Sequence, residues 1–215
     1  SPNYNFFYDQ VVTCGEMISS KILSVYLSDN EMGNQWLDAR DFIKTDTNYR
    51  EGVVNWEDTE KNISQLDKAK TCVTQGFIGS DENNFTVSLG REGSDYSAAI
   101  FAYCLDAKDM TIWKDVPGVM TGDPRKFENV ELLSNISYEE AIEMAYYGAS
   151  VIHPKTLQPL KQKSIPFFVK SFINPEKAGT KIGISTENQL LESYILKENQ
   201  VLMRISTRDF SFIAE

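Results

Sequence analysis

With 215 residues, of which 41% are hydrophobic and 24% charged, the chain is long enough to bury a substantial core and has the composition of a globular α/β protein. Its net charge of −10 would repel a phosphate backbone, and no block of Lys or Arg forms a binding stripe, which excludes a nucleic-acid-binding role. A single histidine, His153, and three separated cysteines, Cys14, Cys72 and Cys104, exclude a tetrahedral thiolate or two-histidine metal site.

Any metal is therefore expected to be a hard, oxygen-bound ion such as Mg²⁺. The cysteines stand among apolar neighbours, as small buried residues of a reducing cytosol do. No apolar run approaches the ~20 residues that cross a bilayer, and the N-terminus has neither a basic nor a hydrophobic leader region. This pattern predicts a cytoplasmic protein. The first residue is not Met and the last residues stop in mid-pattern, so both ends are expected to be boundaries inside a longer polypeptide.

In chain order, apolar residues at helical spacing (Val12, Ile18, Ile22, Val25, Tyr26) predict a long helix from Asp9 to Leu27, stopped by Ser28-Asp29-Asn30. A strand is expected at Gln35 to Ala39, a helix at Glu57 to Lys70 and a buried strand at Thr71 to Ile78. Asn83-Asn84 turns the chain into a strand at Phe85 to Leu89, followed by a glycine-containing loop and a helix at Tyr96 to Leu105. Asp109 to Val116 reads as the next strand, closed by Pro117-Gly118. Ser137-Tyr138-Glu139-Glu140 has the form of a capping box and opens a helix that stops at Gly148. Pro154 starts another helix, and Ile165 to Phe172 reads as a strand. Alternating strands and helices imply a three-layer αβα sandwich around a mainly parallel sheet, with ligands beyond the carboxyl ends of the strands. A hairpin pattern at Tyr194 to Ile205 suggests a second domain from about Gly183, dividing the chain into 1–182 and 183–215.

The most informative stretch is Leu89-Gly90-Arg91-Glu92-Gly93-Ser94-Asp95-Tyr96-Ser97-Ala98-Ala99. Strand, loop and helix start follow one another there, so unpaired N–H groups and a positive dipole end face a ligand. Arg91 offers a planar fork for a carboxylate and Asp95 an acceptor for an ammonium group, a pairing that fits an amino acid. On the residues alone, a helix cap at Ser94 or Asp95 with a solvated Arg91 remains open. There is no GxxxxGK[ST] loop, which excludes a P-loop NTPase. In Trp113-Lys114-Asp115-Val116-Pro117-Gly118-Val119-Met120-Thr121-Gly122-Asp123-Pro124-Arg125, Lys114 and Arg125 could neutralise phosphate, and Asp115 or Asp123 could orient Mg²⁺ or a ribose hydroxyl. A surface loop of mixed charge is the alternative. Glu16 follows Gly15, which permits close backbone approach, and a solvated helix face is its alternative. His153, before Pro154, is expected to make a structural hydrogen bond.

Taken in order, Val-Thr-Cys-Gly-Glu-Met-Ile-Ser (12–19), Thr-Gln-Gly-Phe-Ile-Gly (74–79), the 89–99 stretch, the 113–125 stretch and Tyr-Gly-Ala-Ser-Val-Ile-His-Pro-Lys-Thr-Leu (147–157) resemble aspartate kinases. The tail from Ile195 to Glu215 is similar to the start of their ACT regulatory domain. The resemblance implies the amino-acid-kinase fold and phosphorylation of the β-carboxylate of L-aspartate by ATP with Mg²⁺, the first step toward lysine, threonine and methionine. It also implies homo-oligomers formed through ACT domains and an amino-acid effector. By position it assigns Arg91 to a substrate carboxylate, Glu16 and Asp95 to the α-amino group, and Gly93 and Ser94 to the pocket, with Phe77 and Ile78 in the loop beside it. Lys114, Asp115, Met120, Asp123 and Arg125 map to the nucleotide side. Two departures stand out: this chain has no Lys-Phe-Gly-Gly-Thr-Ser-like segment, whose lysine supports phosphoryl transfer, and it has Ser150 where the family usually has lysine. The chain alone is therefore expected to have little or no activity. An amino-acid-sensing module of the same fold, and a kinase for glutamate derivatives, carbamate or a nucleoside monophosphate, are the competing readings.

Overall fold

The structure, a computed structural model, describes residues 4–148, 151–184, 192–196 and 201. The elements in order are α1 (Tyr4–Asp29), β1 (Gln35–Trp36), α2 (Ala39–Phe42), α3 (Trp56–Ile63), β2 (Cys72–Val73), β3 (Ile78–Ser80), β4 (Thr86–Ser88), α4 (Gly93–Cys104), β5 (Met110–Lys114), β6 (Asn135–Ser137), α5 (Tyr138–Tyr147), α6 (Pro154–Gln162), β7 (Phe167–Ser171) and β8 (Thr180–Gly183).

Helices agree with the sequence pattern where their caps are explicit. Ser137 closes the reciprocal capping box with Glu140, and Gly148 ends α5 at φ 118°, a conformation that side chains disfavour. His153 Nδ1 accepts from the Lys155 N–H at 3.2 Å and so opens α6. Other expectations need correction. Ala39 belongs to α2 rather than β1, because the Asp38 carboxylate accepts the Arg40 N–H and turns the chain. The helix expected at Glu57 to Lys70 ends at Ile63, and the strand expected over Thr71 to Ile78 is split into β2 and β3 around Thr74 to Phe77. Strands β6 and β8 were too short and too mixed in pattern to be read. In the region of the expected hairpin, residues 192–196 and 201 are described and carry no strand; the rest lie outside the described residues.

The parallel pairings β1/β2, β5/β7 and β6/β8 fit the expected class, while β3/β4 and β7/β8 are antiparallel. The strands are distributed over three sheets, the largest in the order β5-β7-β8-β6. Helix α4 lies at the centre. Ala99 and Ala102 pack on the cluster built from Met110, Phe167, Leu157 and Ile182, whereas Tyr96, Ile100 and Cys104 pack on Ile43, Ile63 and Leu89. A helix buried on two faces is apolar almost all round, which explains its run of small and aliphatic residues. A cleft of about 750 Å³ lies beside it, lined by Cys72 and Thr74 of the β2 segment and by Ser97, Ala98 and Phe101.

Helix α1 inverts the usual arrangement. Its buried residues are Asp9, Thr13, Ser20 and Ser24, whereas Val11, Ile18 and Ile22 are 71%, 61% and 64% exposed. The inward face is polar because its partners are polar: Ser20 Oγ accepts from Gln75 Nε2 and Trp36 Nε1, and Ser24 Oγ donates to Asn34. The fully buried Asp9 accepts the Ser88 N–H (2.9 Å), the Ser88 hydroxyl (2.7 Å) and the Arg50 N–H (2.7 Å). The cysteine expectation holds for Cys104 alone; Cys14 and Cys72 are exposed, because each lies on an outward position of a half-covered element. Burial pushes the Cys104 thiol up to about 12.

Replacing Asp9 by Ala strands two buried donors, the N–H and hydroxyl of Ser88, each of which costs about 1–3 kcal/mol when left unmade, and frees the less buried Arg50 N–H. Denaturant unfolding of Asp9→Ala should show a loss of at least about 2 kcal/mol; a loss below about 1 kcal/mol would show that water takes over its role.

Candidate active site

The site grows from the junction of β4 and α4. Strand β4 delivers Leu89, whose N–H donates to the Phe77 carbonyl at 2.9 Å. Gly90 then adopts φ 80°, with the Arg50 carbonyl 3.2 Å from where a Cβ would lie. Glu92 follows at φ 57° as the N-terminal flank of α4, without a side-chain cap. The Gly93 N–H is taken by the Gly90 carbonyl at 3.1 Å, so an anion at this helix start would meet the N–H groups of Ser94 and Asp95.

Around this turn a cavity of about 330 Å³ is lined by Phe77, Gly90, Glu92, Gly93, Ser94, Asp95 and Lys114. Gly93 packs so closely on Phe77 that a Cβ would lie 2.6 Å from the Phe77 Cβ. A Cβ on Gly76 would likewise lie 2.7 Å from Ser94 Oγ. Both glycines let the loop before β3 lie against the first turn of α4. Lys114, the last residue of β5, places its ammonium 3.0 Å from Asp95 Oδ2 and 3.6 Å from Glu92 Oε2. Asp95 Oδ2 is buried and makes no aligned hydrogen bond, so an ion-pair contact leaves its lone pairs open to a second donor such as a ligand ammonium group.

Of the residues expected on the substrate side, the structure brings Phe77, Gly93, Ser94 and Asp95 together around this cavity. Arg91 lies between two of its lining residues and is exposed, outside the lining itself. Glu16 is half-buried on α1, seven residues and two turns beyond Asp9 and hence on the same inward face. That face reaches the 75–77 segment through the Ser20 to Gln75 bond. Ile78 is fully buried in β3, so it is a core residue rather than a loop residue beside the cavity.

Lys114 joins the two groups of expected residues, since it was expected with the nucleotide group yet pairs with Asp95. Beyond it, Asp115 is exposed, and Met120 bridges to Leu132 across the following loop. Asp123 holds Arg125 in a fork, with Nε to Oδ1 at 3.0 Å and Nη2 to Oδ2 at 2.9 Å. The guanidinium holds the Asp123 carboxyl below the ordinary carboxylate range, so the pair is charged at neutral pH. Thr180 Oγ1 supports this loop, accepting the Val119 N–H at 2.8 Å and donating to the Leu133 carbonyl at 2.7 Å. Ser150 lies outside the described residues. Glu92 was not among the expected site residues; it stood inside the 89–99 stretch, but its left-handed backbone and its reach to Lys114 have no signature in sequence. Among the described residues no group of three or more His, Cys, Asp or Glu side chains could hold a metal ion, so a Mg²⁺ here would depend on oxygens of a ligand.

Residues 4–171 match the amino acid kinase family. The chain belongs to that family. It is 34% identical to lysine-sensitive aspartokinase 3 of Escherichia coli over 96% of this chain and 48% of that protein. It is 38% identical to a bifunctional aspartokinase/homoserine dehydrogenase of Buchnera aphidicola over 80% of this chain and 21% of that protein. The crystal structure of E. coli aspartokinase III in complex with aspartate and ADP superposes with a TM-score of 0.82 at 36% identity, covering 87% of this chain and 43% of that one. The chain thus spans less than half the length of these relatives.

Gly93→Ala would drive a methyl group into Phe77, an overpacking that costs about 1–3 kcal/mol. A lowered unfolding midpoint and a displaced Phe77 in the variant's crystal structure are the expected outcomes; an unmoved Phe77 would show that the close approach is not required.

Proposed function

We propose that this chain is the greater part of the catalytic domain of an aspartate kinase, transferring the γ-phosphoryl group of ATP to the β-carboxylate of L-aspartate. The observation that carries this reading is the cavity that gathers Ser94, Asp95 and Lys114 beyond the ends of β4 and β5. The sequence likeness to aspartokinases supports it. Residues 183–215 are proposed as the start of a regulatory ACT domain, with an amino-acid effector, homo-oligomers and a cytoplasmic location following from the same likeness. Among the described residues no helix is long and apolar enough to cross a membrane.

The chemistry suits the residues present. A side-chain carboxylate has a pKa near 4 and is an anionic nucleophile at neutral pH, so no general base is needed. The work is alignment and charge neutralisation: one carboxylate oxygen attacks the γ-phosphorus in line while the bond to the β,γ-bridging oxygen breaks and ADP departs. In this reading Asp95 receives the α-ammonium group, assisted by Glu16, and Arg91 swings from the rim onto the α-carboxylate. The Ser94 N–H holds an anionic oxygen, and Gly93, whose own N–H is taken by the Gly90 carbonyl, lines the pocket. Lys114 lies between substrate and nucleotide, and Asp115, Met120, Asp123 and Arg125 serve the nucleotide. Mg²⁺, carried chiefly by phosphate oxygens and water, would neutralise charge on the nucleotide. Full activity is proposed to require a Lys-Phe-Gly-Gly-Thr-Ser-like segment, which this chain does not contain.

Aspartate-dependent release of ADP by the protein carrying this chain is the expected result. Release that depends instead on glutamate derivatives, carbamate or a nucleoside monophosphate would overturn the assignment, and binding of amino acids without turnover would favour a sensor. Arg91→Ala removes a charged hydrogen-bonding pair of about 1.5–3 kcal/mol, so the KM for aspartate should rise tenfold or more, by about 1.4 kcal/mol per decade, with the KM for ATP little changed.

A further inference from the structure

Lys155 occupies a position that stability alone does not explain. It stands in the first turn of α6, directly after Pro154, where the helix dipole disfavours a cation. It is also partly withdrawn from water, and burial lowers its basicity against the opposing charge of Glu51 and Asp46. Its close partners are a carbonyl and a ring. The ammonium donates to the Leu89 carbonyl at 3.1 Å and lies 4.6 Å above the centre of the Tyr96 ring. Those two contacts bracket residues 90–95, which include Arg91, Glu92 and Asp95. Two residues of that segment, Gly90 and Glu92, have positive φ, a conformation that persists where surrounding structure over-determines it. The Leu89 N–H is held by the Phe77 carbonyl, so Lys155 completes the fixation of Leu89 from the other side.

We infer that Lys155 is a positioning residue for the amino-acid substrate: by bridging the Leu89 carbonyl and the Tyr96 ring it fixes both ends of the 90–95 turn and so the orientation of Arg91 and Asp95. This inference rests on the aspartate kinase reading above.

Steady-state kinetics of Lys155→Met and Lys155→Arg, with aspartate and Mg-ATP varied separately, test it. Methionine keeps the stem but removes the donor and the charge, and the KM for aspartate should rise about tenfold, while the KM for ATP changes less than about twofold. Arginine can reach both partners with its charge retained and should restore most of the aspartate affinity. Should methionine prevent folding, Lys155→Gln, which keeps an N–H donor but no charge, should give a smaller rise confined to aspartate. An unchanged aspartate KM, an equal rise for both substrates, or no recovery with arginine would overturn the inference. These kinetics are read in the protein carrying this chain together with the Lys-Phe-Gly-Gly-Thr-Ser-like segment; absence of aspartate-dependent turnover in its wild type would instead overturn the kinase reading, and this role with it.

Discussion

The carboxylate of Asp9 is buried where α1, β4 and the 48–51 turn meet, and it accepts from the backbone and hydroxyl of Ser88 and from the backbone of Arg50. A buried carboxylate is tolerable only when its lone pairs are taken up in this way. Its location matters as much as its satisfaction. Ser88 precedes Leu89, where the strand ends, and the Arg50 carbonyl faces the α-carbon of Gly90. One side chain of α1 therefore sets the point at which β4 gives way to the 90–95 turn, while the same helix face presents Glu16 two turns further on.

The charge balance of the cavity follows from that placement. Its lining carries Glu92 and Asp95 against Lys114, so the side chains alone total one negative charge, and a dicarboxylic ligand needs further positive charge to enter. The start of α4 supplies partial positive charge through its dipole, and Arg91 stands at the rim. The buried Asp95 Oδ2 faces the Lys114 ammonium at 3.0 Å without an aligned hydrogen bond, an arrangement suited to exchanging a protein cation for a ligand ammonium group.

Legibility in the sequence was uneven for physical reasons. Helices with explicit punctuation, such as Ser137 to Gly148 and Pro154 onward, could be placed because caps and stops are local chemistry. The long helix α1 was found by period, yet its buried face is Asp9, Thr13, Ser20 and Ser24, since a 3.6-residue period says nothing about which face has polar partners waiting. Short strands failed for a related reason: two or three residues carry too little pattern, and Thr71 to Ser80 bends at Gly76 and Phe77, just after Gln75, whose buried amide bonds Ala39, Leu37 and Ser20 across the chain. In the site, the residues next to Gly90 and Gly93 stood in one legible stretch. Glu92 and Lys155 did not announce themselves, because their roles depend on a left-handed backbone and on a helix that arrives more than fifty residues later.

The two sides of the site are thus suspended from different parts of the fold. The 90–95 turn is held by Asp9 through Ser88, by Phe77 and by Lys155 of α6. The loop after β5 is held by Thr180 of β8 and by the segment beyond it, where the Tyr194 N–H donates to the Thr121 carbonyl at 2.7 Å and the Tyr194 ring lies 6.2 Å from that of Phe127. Lys114 crosses between them, the end of one sheet reaching a carboxylate at the start of α4. In-line phosphoryl transfer is sensitive to the distance between its two reactants, so the proposed reaction would depend on how rigidly β5 and α4 are packed. Ala99 and Ala102 of α4 and Met110 and Ile112 of β5 are buried in one core, small residues on the helix and large ones on the strand, so neither support can shift without disturbing the packing they share.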